Sequence, residues 1–426
     1  MNNEPTGWSA LGQLEPIARA LGLSTILSRW RYPLRQKWYE ARFGVGPGKP
    51  RTRVGLFGAA CGRCQAGADL EALGDLRAHT VDGPVVDLFC NNGVLRLESL
   101  AEGLIRFRLR PAQLPDFAEV FSYALDPDAQ WFPDPITLED NAQALTIRTK
   151  HLTCCISKSP CRLTFLNPQG LPLSESAGGL GFGSEGVFCT RRLVEGEAIY
   201  GLGEKAFDLN LRGRRLEMWN RDPEIYAPGD DPINLNIPFF IGLREGRAYG
   251  LFFDNPGRAH FDLGQGHPDQ LCYRADTGEL CAYFLAGPKI PEVLERYTQL
   301  TGRMPLPPRW MLGFHQSRWS YHPASQVREL AAEFRERRIP CDVVHLDIHH
   351  LDGYRIFTWD PDRFPDPPGL LADLRQQGFR TISIVDPGVK ADRGYAVHDE
   401  AMERGTFCKL PDGSLFRGPV SVSYTH

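Results

Sequence analysis

The stretch Pro340-Cys-Asp-Val-Val-His-Leu-Asp347 is an apolar run of strand length that ends in an aspartate, and Arg380-Thr-Ile-Ser-Ile-Val-Asp386 repeats this arrangement. Amphipathic segments at Ala324–Arg338 and Pro368–Gly378 precede the two runs, and another apolar run, Met311–His315, lies before the first helix. This β-α-β-α-β order predicts a parallel sheet with helices outside it. Because active sites of α/β barrels lie at the carboxyl ends of the strands, both aspartates are candidate functional residues.

The barrel-like part of the chain is short. A complete eight-fold barrel needs about 250 residues, and each strand–helix unit takes roughly 30. The stretch from Trp310 to His426 therefore has room for three or four of the eight units. We expect the first part of a (β/α)8 TIM barrel.

The region before the barrel consists of short segments that alternate apolar and polar residues between turns. Gly93–Glu98, Ala144–Thr149 and Cys161–Leu166 follow a period of two, which is typical of half-buried strands. Such strands with few helices predict a β-sandwich, and the helix-like Pro291–Thr301 with Pro305-Leu-Pro-Pro308 connects it to the barrel. The predicted domains are an N-terminal extension at 1–82, the β-sandwich at 83–290, a linker at 291–308, the incomplete barrel at 309–420 and a non-native tail at 421–426.

The overall composition is that of an ordinary globular protein of 426 residues, with 23% charged residues and a formal net charge of −4. This near-neutral balance argues against a nucleic-acid partner, which favours a basic face. No apolar stretch approaches the roughly 18 residues that span a bilayer, and Ile17–Leu27 is too short and too polar for a signal peptide. The 11 cysteines lie at irregular spacings and make a poor disulfide framework. We expect a cytoplasmic protein that does not associate with membranes.

Two short motifs match cofactor or metal patterns but lack the context that such sites require. Gly181-Phe-Gly-Ser-Glu-Gly186 has the glycine spacing of a dinucleotide-binding loop, yet the strand-like Val187–Thr190 follows where a helix would have to begin. We therefore predict a turn between strands. Cys61-Gly-Arg-Cys64 has the spacing of a zinc or redox pair, but no second pair of ligands completes it. The sequence predicts neither a metal nor a cofactor.

Polar and aromatic residues also cluster in runs that no periodicity explains. Tyr200–Lys205 with Met218–Pro223 is either a solvated loop around a buried Trp or a loop that offers Arg221 and Asp222 to a sugar. His315-Gln-Ser-Arg-Trp-Ser-Tyr321 is either a helix N-terminus with a core Trp or a set of donors and an aromatic plane for a polyhydroxylated ligand.

The run Leu346-Asp-Ile-His-His-Leu-Asp-Gly-Tyr354 is the most informative of these. An aspartate that ends a buried strand incurs a large desolvation cost unless it has partners or faces a cavity. For Asp347 or Asp386 taken alone, a structural role is the better interpretation. The occurrence of both at the ends of adjacent strands favours a binding site.

Six motifs occur in one order along the chain: Tyr200-Gly-Leu-Gly-Glu-Lys205, Met218-Trp-Asn-Arg-Asp-Pro223, Pro307-Pro-Arg-Trp-Met-Leu-Gly-Phe-His-Gln-Ser-Arg-Trp-Ser-Tyr321, Leu346-Asp-Ile-His349, Phe357-Thr-Trp-Asp-Pro-Asp-Arg-Phe-Pro-Asp366 and Ile384-Val-Asp-Pro-Gly-Val389. Together they closely resemble glycoside hydrolase family 31, the α-glucosidase family. The resemblance covers roughly residues 85–420 and does not extend to residues 1–80. It implies a galactose mutarotase-like β-sandwich followed by a (β/α)8 barrel.

The resemblance also implies sugar-binding roles for individual residues. The position of Asp347 holds hydroxyls of the non-reducing sugar in the −1 subsite, and Ile348 and Ile384 line that pocket. The position of Trp319 supplies an aromatic wall, and that of Asp222 reaches in from a sandwich loop. We add Asp386, the partner of Asp347 on the neighbouring strand, as a substrate-binding candidate. His349 stands where many members of the family have a second aspartate.

The family mechanism is a retaining one, in which an aspartate nucleophile forms a glycosyl-enzyme and a second aspartate acts as acid and then base. The nucleophile belongs to a Trp-x-Asp-Met-Asn-Glu motif that this sequence lacks. We therefore expect both catalytic residues beyond the C-terminus. The final Ser421-Val-Ser-Tyr-Thr-His426 departs from the family pattern and resembles a translated transposase adapter, so we expect it to be non-native.

These expectations combine into a function for the parent protein: an exo-acting α-glucosidase that releases glucose from the non-reducing ends of α-glucosides or α-linked oligosaccharides. An α-xylosidase or a transglucosidase of the same family is an alternative. A non-catalytic glycan-binding protein is a rival from another class. The oligomeric state is left open.

Overall fold

The computed structural model describes residues 70–117, 121–184, 186–221, 223, 226–419 and 424–425. The chain divides into two compact units, Arg53–Met304 and a second unit that contains Pro305–His426. Predictions made for residues 1–69, including Cys61 and Cys64, for Asp222 and for most of the tail at 421–426 lie outside the described residues.

The first unit is a β-sandwich of two antiparallel sheets. Its strands are β1 (Leu70–Ala72), β2 (Leu76–Asp82), β3 (Val85–Cys90), β4 (Gly93–Ala101), β5 (Leu104–Pro111), β6 (Thr137–Asp140), β7 (Ala144–Arg148), β8 (Thr153–Lys158), β9 (Cys161–Leu166), β10 (Pro172–Gly183), β11 (Gly186–Arg192), β12 (Ala198–Gly201), β13 (Arg215–Met218), β14 (Phe239–Arg244), β15 (Arg247–Phe253), β16 (Ala259–Leu263), β17 (Gln270–Ala275) and β18 (Leu280–Ala286). One sheet has the order β13-β16-β17-β11-β10-β9-β8-β7-β6, with β1 also paired to β10. The other sheet has the order β12-β14-β15-β18-β5-β4-β3-β2.

The core of the sandwich lies between the two sheets because each strand buries the apolar residues of one face. Phe253 on β15 stacks on Tyr273 of β17, in the facing sheet, with 3.9 Å between ring centroids. Phe165 on β9 stacks in the same way on Phe284 of β18, at 4.0 Å. The alternation seen in the sequence is thus the alternation between core and surface, and the predicted strand Cys161–Leu166 coincides with β9.

The glycine-rich run at 181–186 joins β10 to β11 as a hairpin, in which Gly183 pairs with Gly186. A Cβ on Gly181 would lie 2.2 Å from the carbonyl oxygen of Glu71, and Gly186 has a φ of +106° with the Ala275 carbonyl oxygen 1.9 Å from its Cβ position. These glycines are required by close backbone packing. The predicted turn between strands is confirmed, and the run has no helix to face a phosphate.

Two predicted boundaries of the sandwich need correction. Residues 70–82, assigned to an N-terminal extension, form β1 and β2, which pair with β10 and β3. Only Leu76 of β2 is buried, so the strand has no apolar alternation by which the sequence could reveal it. The linker helix, α1 (Ile290–Thr301), packs on the sandwich through Val293 and Leu300, which are fully buried. It is therefore part of the sandwich and not a free connection.

The second unit contains a parallel sheet covered by helices. Its sheet has the order β19 (His315–Gln316), β20 (Val343–Leu346), β21 (Arg380–Ser383). The helices are α2 (Ala324–Glu336), α3 (Pro367–Gln376) and α4 (Ala396–Arg404), and a short pair, β22 (Gly418–Pro419) and β23 (Tyr424–Thr425), follows. Val344 and Leu346 of β20 are buried against α2 and α3 together with Val327 and Leu370. The predicted parallel order with outer helices is confirmed.

The first predicted barrel strand, Met311–His315, is largely wrong. Arg309–Leu312 form a 3-10 turn that starts when the Met311 N–H donates to the Pro308 carbonyl at 2.9 Å. Only His315 and Gln316 join the sheet. An apolar run after two prolines has the composition of a strand, but pattern alone does not reveal where the ladder begins.

Two further observations concern the cysteines and the membrane. Cys272 is disulfide-bonded, whereas Cys154 and Cys189, among others, are free. The irregular cysteine spacing, which predicted a poor disulfide framework, gave no signal for this bond. Within the described part of the chain, every helix is too short or too polar to cross a membrane.

Candidate functional site at the strand ends

The face of the parallel sheet that is turned away from the helices carries the candidate residues. Val344 and Leu346 point toward α2 and α3, so side-chain alternation places His345 and Asp347 on the opposite face. His315 on β19 shares that face, since its Nδ1 lies 3.2 Å from Nε2 of His345. The ladder continues past β21, where the Ile384 N–H donates to the Leu346 carbonyl at 3.0 Å.

Asp347 is held by the backbone turn that follows it. Its Oδ1 accepts from the N–H of Ile348 at 2.8 Å, which caps a 3-10 turn at Ile348–His350. The Nδ1 atom of His350 lies 2.9 Å from the Asp347 carbonyl oxygen. These contacts fix the carboxylate but use only one of its oxygens, and within the described residues Oδ2 has no protein hydrogen bond. Asp347 can therefore accept further hydrogen bonds from a ligand.

Asp386 lies close enough to Asp347 for the two carboxyl groups to interact. Burial raises the pKa of Asp386, and the negative charge of Asp347 raises it further. Ile384, which directly follows β21, is 41% exposed. The sequence prediction that the two strand ends bring these aspartates together agrees with this arrangement. Paired carboxylates at the end of a parallel sheet can bind several hydroxyls of one ligand.

An aromatic cluster stands beside Asp347, and His349 is at its centre. The His349 ring stacks on His322, with 4.9 Å between centroids and 11° between planes. It also contacts Trp319 at 5.9 Å and Tyr354 at 5.7 Å. Trp319 is 73% exposed, so its apolar face is open to a ligand. Sequence reasoning did not predict His322 or Tyr354, because stacking partners 27 and 5 positions away leave no local pattern.

The surroundings of His349 disfavour the charged form of its imidazole. Burial lowers the pKa of its imidazole, and the nearby His322 and Arg363 lower it further, while Asp347 opposes them. Its Nδ1 atom is buried and has no hydrogen-bond partner among the residues that the structure describes. A buried nitrogen without a partner is costly, and a neutral ring with one unused nitrogen can accept or donate a hydrogen bond.

The motif at 357–366 packs against the loop that carries His349 and His350. The Trp359 ring contacts His350 at 4.9 Å and Phe364 at 5.8 Å. Arg363 donates to the His349 carbonyl at 3.2 Å and pairs with Asp360 at 3.2 Å. This part of the family pattern therefore serves to hold the loop that carries the candidate residues.

The polar loop of the sandwich has a buried anchor. The Nζ atom of Lys205 donates to Asp231 and Asn236 at 2.5 Å each and to the Glu217 carbonyl at 3.2 Å. Trp219, next to this anchor, is 44% exposed, and the Arg258 guanidinium lies 5.0 Å from its ring centroid. The predicted alternative of a buried Trp is thus not what the structure has. Asp222 lies outside the described residues, and its contact with substrate stays a prediction.

One group in the described residues has metal-ligand chemistry, namely Glu102, Asp134 and His151 of the sandwich. The His151 ring lies between the two carboxylates, with Nδ1 3.0 Å from Asp134 and Nε2 3.6 Å from Glu102. Because the two nitrogens of one ring face opposite carboxylates, the contacts are explained as ion pairs of a histidine, without a metal. The group lies away from the strand ends in sequence and belongs to the other unit.

Comparison with known proteins now identifies the family. The profile of the glycosyl hydrolase 31 N-terminal galactose mutarotase-like domain matches residues 94–262, within the sandwich. The profile of the glycosyl hydrolases family 31 TIM-barrel domain matches residues 304–425. The chain belongs to glycosyl hydrolase family 31. The predicted family and fold class, a mutarotase-like β-sandwich followed by part of a TIM barrel, are confirmed.

Relatives of this glycosyl hydrolase family 31 chain include enzymes with curated names. Alpha-glucosidase 2 of Bacillus thermoamyloliquefaciens is 36% identical over 353 residues, which are 82% of this chain and 44% of that protein. An alpha-glucosidase of Saccharolobus solfataricus is 39% identical over 224 residues, 53% of this chain and 32% of that protein. The chain spans less than half the length of either relative.

Among solved structures, a dextranase of the same family from Flavobacterium johnsoniae superposes with a TM-score of 0.77 at 30% identity. The match covers 83% of this chain and 44% of the dextranase. That enzyme has been solved as complexes with isomaltotriose and with glucose. The sandwich and the partial barrel thus share the architecture of the matched part of that dextranase.

Proposed function

We propose that the full-length protein is a retaining α-glucoside hydrolase that releases glucose from non-reducing chain ends, and that this chain forms part of its −1 subsite. The observation that carries the proposal is the pair of carboxylates at the ends of adjacent parallel strands, Asp347 and Asp386, one of which raises the pKa of the other. Converging acceptors beside an exposed aromatic plane fit a polyhydroxylated ring.

Each candidate residue has a distinct part in this proposal. Asp347, whose Oδ1 is fixed by the Ile348 N–H, accepts hydrogen bonds from two hydroxyls of the terminal glucose. Asp386 accepts from a further hydroxyl. The side chains of Ile348 and Ile384 exclude water from the ring, and the Trp319 indole stacks on its C–H face. Asp222 contributes from the sandwich loop, as the family resemblance implies.

The chemistry itself needs two further carboxyl groups. In a retaining glycosidase, nucleophile and acid/base stand about 5–5.5 Å apart across the scissile bond. The family motif that carries the nucleophile does not occur in residues 1–426. We therefore propose that this chain by itself binds sugar without cleaving it, and that catalysis belongs to the full-length protein.

A second candidate substrate class is an α-1,6-linked glucan. The dextranase matches 83% of this chain at 30% identity and has been solved with isomaltotriose, an α-1,6-linked glucose trimer. The strand-end site binds the terminal ring and has the same chemistry for either linkage. Hydrolysis rates of the full-length protein on maltose, isomaltotriose, dextran, an aryl α-glucoside and an aryl α-xyloside distinguish the candidates. Preference for the xyloside would reject glucose as the terminal sugar.

The decisive test is Asp347→Asn in the full-length protein. The amide oxygen still caps the turn at Ile348–His350, so the fold is kept, but the charge that binds hydroxyls is lost. We expect kcat/KM for an aryl α-glucoside to fall about 100-fold, in the range found when one charged or oriented hydrogen bond to the transition state is removed.

Asp373→Asn is the matched control for this test. Asp373 lies on α3, is half-exposed, and pairs with Arg328 at 2.9 Å on the surface of the same unit. We expect unchanged turnover in this variant. Wild-type kcat/KM in a well-folded Asp347→Asn enzyme would contradict the assigned role.

A further inference from the structure

Two segments that follow neighbouring strands of the parallel sheet are tied together by contacts that the strand-end site does not explain. The first segment, residues 352–357, lies beyond β20, and the second segment, residues 390–395, lies beyond β21. The Lys390 ammonium donates to the Gly353 carbonyl at 2.8 Å. This contact attaches the backbone of the first segment to a side chain of the second.

Arg355 bridges the two segments. Its Nε and one terminal nitrogen donate to Oδ2 of Asp392, at 3.1 and 2.6 Å. Its other terminal nitrogen donates to the carbonyl oxygen and to Oδ2 of Asp352, at 3.3 Å each. A guanidinium can reach both partners at once because its N–H groups diverge in a fixed plane, which a lysine ammonium does not offer. Arg355 therefore joins Asp392 of the second segment to the start of the first.

A buried hydroxyl adds another link. Tyr395, which is 7% exposed, donates from its hydroxyl to the Ile356 carbonyl at 2.6 Å. Burial raises the pKa of this hydroxyl, and the nearby Arg355 charge opposes that rise. A raised pKa keeps the hydroxyl protonated, so it remains a donor. Together with the contacts of Gly353 and Arg355, this link attaches the backbone on both sides of Tyr354.

Tyr354 has a backbone conformation that tyrosines rarely adopt. Its φ is +63°, in the left-handed region, directly after Gly353 at +50°. Left-handed backbone is unfavourable for a residue with a Cβ, so it persists only where the surrounding contacts impose it. A Cβ on Gly353 would lie 2.8 Å from a terminal nitrogen of Arg355, which shows that the guanidinium packs directly on this turn. The contacts between the two segments thus hold a strained tyrosine.

The strained backbone determines where the Tyr354 ring lies, because the direction of a side chain depends on the backbone angles of its own residue. The ring meets His349 edge-on, with 5.7 Å between centroids and 80° between planes. His322 stacks on the same imidazole. His349 belongs to the 3-10 turn that Asp347 caps through its Oδ1. The Tyr354 ring therefore restrains the turn that begins at Asp347.

An ordinary surface ion pair is the alternative interpretation of Arg355 and Asp392, whose side chains are 28% and 34% exposed. Such pairs contribute little where two flexible side chains meet in solvent. This pair differs because the same guanidinium also binds a backbone carbonyl and packs on the turn at Gly353. Its removal releases backbone, and not only a side chain.

We propose that Arg355 is a positioning residue that holds Tyr354 against His349 and thereby fixes the sugar-binding turn that begins at Asp347. The inference rests on the proposed function for the role of Asp347, and on the contacts above for the role of Arg355. Every residue in it belongs to the unit that contains the parallel sheet.

The first experiment measures the turn directly, by hydrogen exchange of the full-length protein. Arg355→Met removes the bridge, and we expect amide exchange in peptides covering 348–358 and 388–396 to accelerate at least about tenfold. Amides of β20 and α3 keep wild-type exchange, because their hydrogen bonds lie within the sheet and the helix. If this variant does not fold, Arg355→Met with Asp392→Asn removes both charges and gives the same readout. Wild-type exchange in the two peptides would overturn the proposal.

Arg328→Met is the matched control. Arg328 on α2 donates to Asp373 on α3 at 2.9 Å, so it forms another arginine–aspartate pair of the same unit. This pair joins two outer helices instead of the two segments. The control should leave exchange in both peptides and KM unchanged. A change as large as that of Arg355→Met would mean that loss of any ion pair in the unit loosens the turn, and would also overturn the proposal.

The second experiment separates positioning from general stability through the kinetic constants of the full-length enzyme. We expect Arg355→Met to raise KM for an aryl α-glucoside about tenfold and to change kcat less than about threefold, because a misplaced binding group weakens binding of the substrate. A variant that is merely less stable contains less active enzyme, which lowers the apparent kcat and leaves KM unchanged. That second outcome would reject a positioning role.

A double-mutant cycle tests the route through Tyr354. If Arg355 acts by holding this ring, adding Arg355→Met to Tyr354→Ala raises KM by less than about twofold more. Increases in KM that multiply would reject the proposal. Absence of any glycosidase activity in the wild type would reject the proposed function, whereas hydrogen exchange would still decide whether Arg355 holds the turn.

Discussion

Between the two sheets of the sandwich, Arg191, Glu197 and Tyr249 form a closed polar cluster, whereas at the ends of the parallel strands Asp347 and Asp386 stand in half-open surroundings. The side chains of Arg191 and Glu197 are 3% and 1% exposed and lie 3.4 Å apart. The Tyr249 hydroxyl donates to Glu197 and accepts from Arg191. Every charge in the sandwich cluster has a partner within the protein.

The strand-end cluster differs in the property that binding requires, because within the described part of the chain some of its polar atoms have no partner. One example is the buried Nδ1 of His349, which has no hydrogen bond there. The pKa of Asp386 is raised by burial and by Asp347 instead of being lowered by a cation. In the sandwich, Ser174 accepts from Arg191 at 3.0 Å and completes its set. Satisfied polar groups stabilise one packing of two sheets, and unsatisfied groups in a half-open site are available to a ligand.

The largest effect is expected from breaking the closed cluster. Glu197→Leu leaves the Arg191 guanidinium buried without its carboxylate and should lower the free energy of unfolding of the sandwich by about 3–5 kcal/mol. Urea unfolding of the full-length protein measures the change, which is taken from the transition in which the sandwich unfolds.

Glu139→Leu is the control for this loss. Glu139 pairs with Arg148 at 3.1 Å, with side chains 64% and 48% exposed. Solvent and salt screen such a surface pair, so it contributes little to stability. Equal losses in the two variants would remove the distinction between a closed cluster and an ordinary ion pair.

A smaller effect, on binding and not on stability, is expected at Trp319. The side chain is 73% exposed, so Trp319→Ala should change the free energy of unfolding by no more than about 0.5 kcal/mol. Loss of its stacking face should raise KM for an α-glucoside roughly tenfold, as expected for an aromatic contact worth about 0.5–1.5 kcal/mol. Thermal melts and initial rates measure both quantities. A large drop in melting temperature would mean that the strand-end cluster is a structural core after all.

The smallest effect concerns pH. The folded pKa of Asp386 lies above its ordinary value of 3.8 because of burial and the Asp347 charge. The native state therefore binds this proton more tightly than the unfolded state, and stability decreases as pH rises from 3.8 through the folded pKa. Asp386→Asn removes this cost, so its melting temperature should exceed that of the wild type at pH 7.

The difference should shrink as pH falls through the folded pKa of Asp386 and vanish below 3.8, where the carboxyl is protonated in the unfolded state as well as in the folded state. Asp373→Asn, at the surface of the same unit, serves as the control and should show no such gain at pH 7. A lower melting temperature for Asp386→Asn at pH 7 would show that the Asp386 carboxylate has a stabilising partner and does not resemble an open binding group.

Much of this architecture could be predicted from local pattern. Cys161–Leu166 is a strand with the predicted bounds, because alternation over six residues directly encodes one buried face. Asp347 could be located because it directly follows the buried strand β20. The second strand, β21, ends at Ser383 and is not buried, so Asp386 lies three residues beyond the strand that the apolar run predicted.

The features that the sequence did not reveal depend on contacts between distant segments. Lys205 is separated from Asp231 and Asn236 by 26 and 31 positions, and nothing in its own run shows that an ammonium would be buried there. His322 and His349 stack across 27 positions. The edge strand β2 has one buried residue and hence no period. A sequence pattern arises only where a contact repeats along the chain, and a single long-range contact does not repeat.

Helix α1 has a practical consequence for producing the sandwich domain by itself. Its Tyr297 stacks on Phe239 of the outer sheet face at 3.9 Å between centroids, and Val293 and Leu300 seal Leu104 and Leu285 from water. A recombinant protein that stops after β18 would present this apolar face to solvent and self-associate. A recombinant protein that extends to Met304 includes α1, which covers this face, and should be monodisperse.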